Sequence, residues 1–446
     1  MSRRGDIEAA MADWDPGSIS RLPMVGRRAD MPPREPRSVV TITGPRRAGK
    51  TYFMYLVARR LIEEGVPPER ILYVNFEHER LDTLRERDLE TMLAVYYELA
   101  PPALSSDRPY LFLDEVQNVR GWGKWVRRVH DGKEARVYVS GSSSKLLSRE
   151  LSTELRGRST DYVVFPFSFA EFLDAKGIEA PDLRRLPHLE ERGKVLALLK
   201  EYLETGGYPE VVLEPSQGVK EKVLRSYFDT ILYRDLVERF DVRSPALLDS
   251  FVKLCLASHA KYLSASKSYN HLRGLGFRTR KQTVLDYLRY VSESYVIIPL
   301  EIYSRSVKNR AQYPKKVYAV DTGLVRVGRF ETGMGRLMEN CALVELARRS
   351  SYFSDFQVYY WKEYGKAEGA EVDFVVVQGG KAAELVQVTY ATAADGLDAR
   401  EVDSLRKASA ELGCKKLVVL TWDYRDRRGG VEFVPLWEWL LQARST

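Results

Sequence analysis

Gly44-Pro45-Arg46-Arg47-Ala48-Gly49-Lys50-Thr51 fits the pattern G-x-x-x-x-G-K-[ST] at every fixed position. Glycines let such a loop fold tightly, so that backbone N–H groups face a chain of phosphates. The N-terminus of the helix that follows the loop, at Tyr52, would add its positive dipole end. In that arrangement Lys50 contacts the β- and γ-phosphates, and the Thr51 hydroxyl ligates Mg²⁺. A second feature is Leu111-Phe-Leu-Asp114-Glu115, an apolar run ending in two carboxylates. Asp114 would hold Mg²⁺ through water, and Glu115 would polarise the attacking water as general base. Alone, a strand ending in Asp-Glu is commonplace. Together the two features imply binding and hydrolysis of ATP with Mg²⁺.

The elements that must position these residues are visible in the apolar pattern. Ser38-Val-Val-Thr-Ile-Thr43 reads as a strand, and Tyr52-Phe-Met-Tyr-Leu-Val-Ala58 reads as a helix, with the glycine-rich turn between them. Further short apolar runs occur at Ile71–Asn75, Tyr110–Asp114, Arg136–Ser140 and Tyr162–Phe165, separated by helical or loop material. That alternation predicts a parallel sheet covered on both faces. Lys194 to Val242 is helical in pattern, broken at Gly206-Gly-Tyr-Pro209. Three helical stretches and a strand-like pair follow between Leu248 and Val320, with Ser264 placed to cap the middle helix. A last segment combines a helix over Arg336–Arg349 with strands near Phe356–Trp361, Val372–Val377, Ala383–Val388 and Lys416–Thr421.

Composition sets bounds on the whole. The chain has 446 residues, 44% of them apolar and 29% charged, which suits several folded domains and excludes global disorder. No apolar stretch is long enough to span a membrane, and the Arg- and Pro-rich start lacks a signal-peptide core, so a cytoplasmic protein is expected. A net charge of +7 from 69 basic and 62 acidic residues leans mildly toward a polyanionic partner. Three widely spaced cysteines (Cys255, Cys341, Cys414) form no zinc or disulfide pattern, and the five histidines show no ligand spacing.

More than a phosphate loop is present. Tyr73-Val-Asn-Phe-Glu77, Leu113-Asp-Glu-Val-Gln117, Val139-Ser-Gly-Ser-Ser143 and Leu155-Arg-Gly-Arg158 follow the loop in order. Phe165-Pro-Phe-Ser-Phe-Ala-Glu-Phe172, Gly206-Gly-Tyr-Pro209, Tyr233-Arg-Asp-Leu236 and Glu371-Val-Asp-Phe374 complete the set. Over about Arg37 to Leu441 the chain resembles archaeal-type AAA+ ATPases that carry a winged helix and a C-terminal restriction-endonuclease-like domain of unassigned function. The resemblance implies an α/β fold: a P-loop parallel-sheet domain, a helical and winged-helix region, then a small α/β endonuclease-like domain. The corresponding division is an N-terminal extension (1–36), an ATPase core (37–175), a helical lid or linker (176–245), a winged helix (246–325) and the endonuclease-like domain (326–446).

The same resemblance implies roles that spacing does not give. Asn75 would restrain the catalytic glutamate, and Ser142 would sense water or the γ-phosphate. Arg158, or Arg156 beside it, would reach a nucleotide on a neighbouring subunit, which implies a homo-oligomer. Near the helix around Arg280, the basic residues Arg273, Arg278, Arg280, Lys281 and Arg289 interleave with Tyr287 and Tyr290, a composition suited to DNA phosphates. Glu339, Asp373 and the run Glu384-Leu-Val-Gln387-Val-Thr389 resemble the acidic core of PD-(D/E)XK nucleases. The usual Glu-x-Lys falls on Gln387 and Thr389, and Glu384, at an odd offset, faces the other way along a strand. An active nuclease is therefore not expected. Three readings remain: an ATPase moving its C-terminal modules on DNA, a nucleotide-gated signalling or assembly switch, and an ATP-licensed nuclease.

Overall fold

The computed structural model describes residues 3–19, 21–81, 84–100, 108–141, 155, 157–178, 189–328, 332–351, 355–363 and 369–442. Two compact units divide the chain, Met1–Phe165 and Pro166–Thr446.

The first unit is built on a five-stranded parallel sheet. Its strands are β1 (Val39–Thr43), β2 (Ile71–Asn75), β3 (Tyr110–Asp114), β4 (Arg136–Gly141) and β5 (Ser159–Val163), in the spatial order β2-β3-β4-β1-β5. Every residue of β1 and of β3 is buried, as near-continuous apolar strands covered on both faces must be. This is the covered parallel sheet that the alternating pattern predicts, in the P-loop AAA+ form that the resemblance implies. β5 begins earlier than the apolar run Tyr162–Phe165 suggests. It is an edge strand bonded only to β1, with a half-exposed face that tolerates Ser159, Thr160 and Asp161.

Several helices accompany these strands, and the longer ones carry the core. They are α1 (Arg3–Ala12), α2 (Lys50–Glu63), α3 (Glu86–Leu99) and α4 (Trp122–Asp131). In α2 the buried set Phe53, Met54, Val57, Ala58 and Leu61 recurs at helical spacing and seats the helix on the sheet. The N-terminal residues share this core: Ile7 and Met11 of α1 are buried in one apolar cluster with Leu89 and Leu113. The Trp14 indole N–H donates to the Ile71 carbonyl at 2.8 Å, and its ring lies 5.0 Å from that of Tyr73.

The second unit opens with the helices α5 (Phe169–Ala175), α6 (Leu189–Thr205) and α7 (Gln217–Thr230), the last running into a π-helical stretch over Ile231–Glu238. Gly206 has φ +79, and a Cβ there would lie 1.8 Å from Asp321 Oδ1. The Gly207 N–H donates to Asp321 Oδ2 at 2.7 Å, and the Gly323 N–H donates to Oδ1 at 2.8 Å. The two-glycine turn is thus a clasp around one buried carboxylate.

Next come α8 (Pro245–Ala257), β6 (Lys261–Leu263), α9 (Ala265–Gly274), α10 (Lys281–Glu293), β7 (Ile297–Leu300) and β8 (Lys315–Ala319). The three strands pair antiparallel in the order β6-β8-β7. Ser264 accepts from the Lys267 N–H at the start of α9. Then follow α11 (Thr322–Val327), α12 (Met334–Ser350), β9 (Phe356–Lys362), β10 (Glu371–Gln378), β11 (Lys381–Val388), α13 (Ala399–Leu412), β12 (Leu417–Thr421), β13 (Asp426–Arg428) and β14 (Val431–Pro435). They form a six-stranded sheet, β13-β14-β12-β11-β10-β9. Its apolar face, with Trp361, Val375, Val419 and Phe433, packs against Leu405 of α13. Among the described residues no helix is long and apolar enough to cross a membrane.

Candidate active site

Strand order brings the two motifs together. β4 lies between β1 and β3, and the loops leaving the carboxyl ends of β1 and β3 meet above it, the position where open α/β sheets bind ligands. Gly44 leaves β1 at φ +139, and a Cβ would stand 2.0 Å from the Val164 carbonyl oxygen. The loop therefore runs so close to the chain after β5 that only glycine fits. Gly49, at φ +94, turns the chain into α2. Arg47 also sits in the left-handed region, at φ +64, and Ala48 is fully buried. The Ala48 N–H donates to the Pro45 carbonyl at 3.2 Å, and the Ala48 carbonyl accepts from Arg27 at 3.0 Å. Arg46 pairs with Glu77 at 3.4 Å, and Tyr52 is half exposed on α2.

Asp114 is the centre of the polar network, only 1% exposed. Its Oδ2 accepts from the Thr51 hydroxyl at 2.6 Å and from the Tyr73 hydroxyl at 2.7 Å, while Oδ1 accepts from the Ser140 hydroxyl. Burial, and then the charge of Asp114, push the Tyr73 phenol far above its ordinary range, so it stays a proton donor. Ser140 in turn accepts from the Glu115 N–H at 3.1 Å. Glu115 is held in the left-handed region at φ +50, and the Gln117 side-chain amide donates to its carboxylate. The Lys50 ammonium donates to the Gly44 and Pro45 carbonyls at 3.3 and 3.1 Å, with Glu115 Oε1 at 4.0 Å.

A hydroxyl and a carboxylate in contact at the end of a phosphate loop are a hard-oxygen pair, the donor type Mg²⁺ prefers. The arrangement can neutralise phosphate charge with Lys50 and the loop amides, and it holds the Glu115 carboxylate nearby. Asn75 lies beside Asp114 in the sheet register, and its Oδ1 accepts from the Glu77 N–H at 2.8 Å. The side-chain amide that reaches Glu115 is that of Gln117. Arg158 is partly exposed and pairs with Asp131 at 2.8 Å. Ser142 and Arg156 lie outside the described residues. Sequence alone singles out none of Tyr73, Ser140 and Gln117 as site residues, although each lies in or just after a strand visible in the apolar pattern.

Two further clusters belong to the second unit. A groove of about 1060 Å³ is lined by Arg243, Arg273, Arg278 and Arg280, with Asp241 and Asp286 as its acids. The side chains of Arg243, Arg278 and Arg280 make no ion pair or hydrogen bond among the described residues. Tyr290 stacks on Phe240 at 4.0 Å with Arg289 over its ring. Tyr287 is 6% exposed and packs near Phe251, so of the two interleaved tyrosines it serves the core.

The other cluster surrounds Lys316 of β8, whose Nζ lies 2.9 Å from Asp373, 3.1 Å from Glu339 and 2.8 Å from Glu371. Burial opposes the charge on Lys316, but Asp373 and its neighbours hold its pKa well above the usual range. Burial and the Asp373 charge push Glu339 up to about 7. Glu384 points elsewhere, to Lys416 at 3.2 Å.

An AAA domain model matches residues 36–173, and two domain models of unknown function match residues 196–329 and 334–439. The chain is 30% identical over 416 residues to an uncharacterized protein of Methanocaldococcus jannaschii, covering 91% of this chain and 89% of that one. It is 28% identical over 408 residues to an uncharacterized protein of Haemophilus influenzae, covering 91% and 94%. Among solved structures it resembles the Walker-type ATPase of Pyrococcus abyssi, with a TM-score of 0.44, 12% identity, and coverage of 74% and 95%.

Proposed function

The chain belongs to the family of the Methanocaldococcus protein, with an AAA domain at its head, and on that premise we propose that it binds and hydrolyses ATP with Mg²⁺. The observation that carries the reading is the junction of the two motifs: Thr51 bonded to Asp114, with Lys50 and Glu115 beside them. Main-chain amides from Gly44 to Thr51 and the Lys50 ammonium would hold the β- and γ-phosphates. Thr51 and Asp114 would hold the metal, which supplies charge neutralisation at the phosphates when bound. Glu115 takes the proton of the attacking water, and Gln117 and the Ser140–Glu115 N–H bond fix its position. Ser142 keeps the supporting role that the resemblance implies, while the restraint on Glu115 that it implies for Asn75 falls to Gln117. Arg158 would serve a nucleotide on a neighbouring copy, exchanging its weak exposed pair with Asp131 for a phosphate.

The reading extends to DNA. The helix–strand–helix–helix–strand–helix–strand order over 245–319, with a short helix Val307–Gln312 before β8, and the β6-β8-β7 pairing support a winged helix. Arg243, Arg278 and Arg280 line one groove beside its second and third helices, suited to a phosphate backbone. The proposed division remains an ATPase core (37–175), a helical segment (176–245), a winged helix (246–325) and an endonuclease-like segment (326–446), following the extension 1–36. An ATPase assay with and without duplex DNA, repeated across protein concentrations, tests the whole. Stimulation by DNA supports action on DNA. Turnover indifferent to DNA but rising with protein concentration favours an assembly switch.

A further inference from the structure

The carboxylates that a metal-dependent nuclease would offer to Mg²⁺ already hold a cation of the chain's own. An ammonium has three protons to donate, and at Lys316 three carboxylates stand within 2.8–3.1 Å: Asp373 and Glu371 of β10, and Glu339 of α12. The side chain is 4% exposed, on the central strand of its sheet.

Part of the remaining acceptor capacity is also committed. Asp373 Oδ2 accepts from the Val388 N–H at 3.1 Å, and Glu339 Oε1 accepts from the Tyr318 hydroxyl at 2.7 Å. Glu371 faces a second ammonium, Lys362, at 3.8 Å. Gln387 stands where a further carboxylate would be needed, and its Oε1 accepts from the Asp373 N–H at 3.2 Å.

These residues do not fit a divalent cation. Mg²⁺ needs a near-octahedral oxygen shell. Here it would have to enter beside a buried positive charge, and Glu339 Oε1 and both oxygens of Asp373 are already bonded to protein donors. Among the described residues no group of three His, Cys, Asp or Glu is disposed to hold a metal ion.

We infer that Lys316 is the permanent counter-ion of this carboxylate centre, so that the centre takes no divalent cation and the C-terminal segment cleaves no nucleic acid through it. The ammonium instead ties the three-stranded sheet to β10 of the six-stranded one. Their link is reinforced where the Tyr360 N–H donates to the Glu301 carbonyl at 3.0 Å. The inference is independent of ATP chemistry.

Mn²⁺ titration of the full chain without nucleotide, followed by the electron paramagnetic resonance signal of the free ion, tests it alongside thermal melting. Wild type and Asp373→Asn are expected to bind the same number of Mn²⁺ ions. Lys316→Met should melt roughly 5–10 °C below wild type. Adding Asp373→Asn to Lys316→Met should recover part of that loss, because one stranded carboxylate is removed. A bound Mn²⁺ present in wild type and lost in Asp373→Asn would overturn the inference, as would Mn²⁺-dependent plasmid cleavage that Asp373→Asn abolishes. If Lys316→Met does not fold, the comparison of wild type with Asp373→Asn still decides.

Discussion

The Thr51 hydroxyl donates to the Asp114 carboxylate at 2.6 Å, joining two motifs 63 residues apart in the chain. In the proposed chemistry Thr51 and Asp114 would together hold the Mg²⁺. Asp114→Asn should therefore lose most of the stabilisation that Mg-ATP confers, while ATP with EDTA should affect variant and wild type alike. For wild type that stabilisation is about 2.7 kcal/mol at a hundredfold excess over Kd. Thermal melting with and without Mg²⁺ measures it, and an unchanged Mg²⁺ response would remove Asp114 from the metal site.

Tyr73 is the support that lies behind this pair. Tyr73→Phe deletes one of three hydroxyl donors to Asp114, which keeps Thr51 and Ser140. The loss should cost about 1 kcal/mol of stability. ATP turnover should fall more than ATP binding, because the carboxylate that positions the metal is less constrained. Urea unfolding and steady-state kinetics on one preparation separate the two effects.

The Gly206 clasp predicts a larger structural penalty. Gly206→Ala forces a Cβ to within 1.8 Å of Asp321 Oδ1 at a positive φ. The expected loss is more than about 2 kcal/mol, readable by urea denaturation. A variant as stable as wild type would mean the turn is not built around Asp321.

Asp321 also sets a pH dependence. Burial raises its pKa from 3.8 to about 6, so the folded chain holds this proton more tightly than the unfolded chain does. The stabilisation is full below about pH 4 and is lost as pH rises through 6. It amounts to about 3 kcal/mol over that span. Asp321→Asn carries a constant offset but no such slope. The stability difference between wild type and variant, measured by urea denaturation, should therefore move in the variant's favour between pH 4 and pH 7, and a flat difference would refute it.

For the basic groove, the double substitution Arg278→Glu/Arg280→Glu should weaken duplex binding across sequences. It should also lower the slope of log K against log salt by roughly 0.9 for each phosphate that is no longer neutralised. Fluorescence anisotropy at several salt concentrations reads both. Unchanged affinity and slope would place DNA elsewhere or nowhere.

How much of this is legible in the sequence depends on the range of each interaction. The phosphate loop is local: two glycines, a lysine and a threonine within eight residues carry its geometry, and the flanking strand and helix announce themselves by period. Ser140 is not legible, because its bond to Asp114 exists only once β4 inserts between β1 and β3, and sheet order is not written in the strands. Lys316 lies 57 residues from Asp373 on a different sheet, so nothing in its neighbourhood marks it as that carboxylate's partner. The hairpin β13–β14 escapes the apolar pattern because its first strand is Asp426–Arg428, entirely charged. Tyr287 has the composition of a nucleic-acid face around it and yet turns inward, since helical spacing alone does not say which side meets the core.

In the proposed chemistry Glu115 activates water against a triphosphate held by the loop around Lys50. Phosphate release from Mg-ATP by wild type and by Glu115→Gln, under conditions where bound ATP is quantified in parallel, tests it most directly. The variant should retain ATP and release phosphate roughly a hundredfold or more slowly than wild type. Equal rates of release in the two proteins would contradict it.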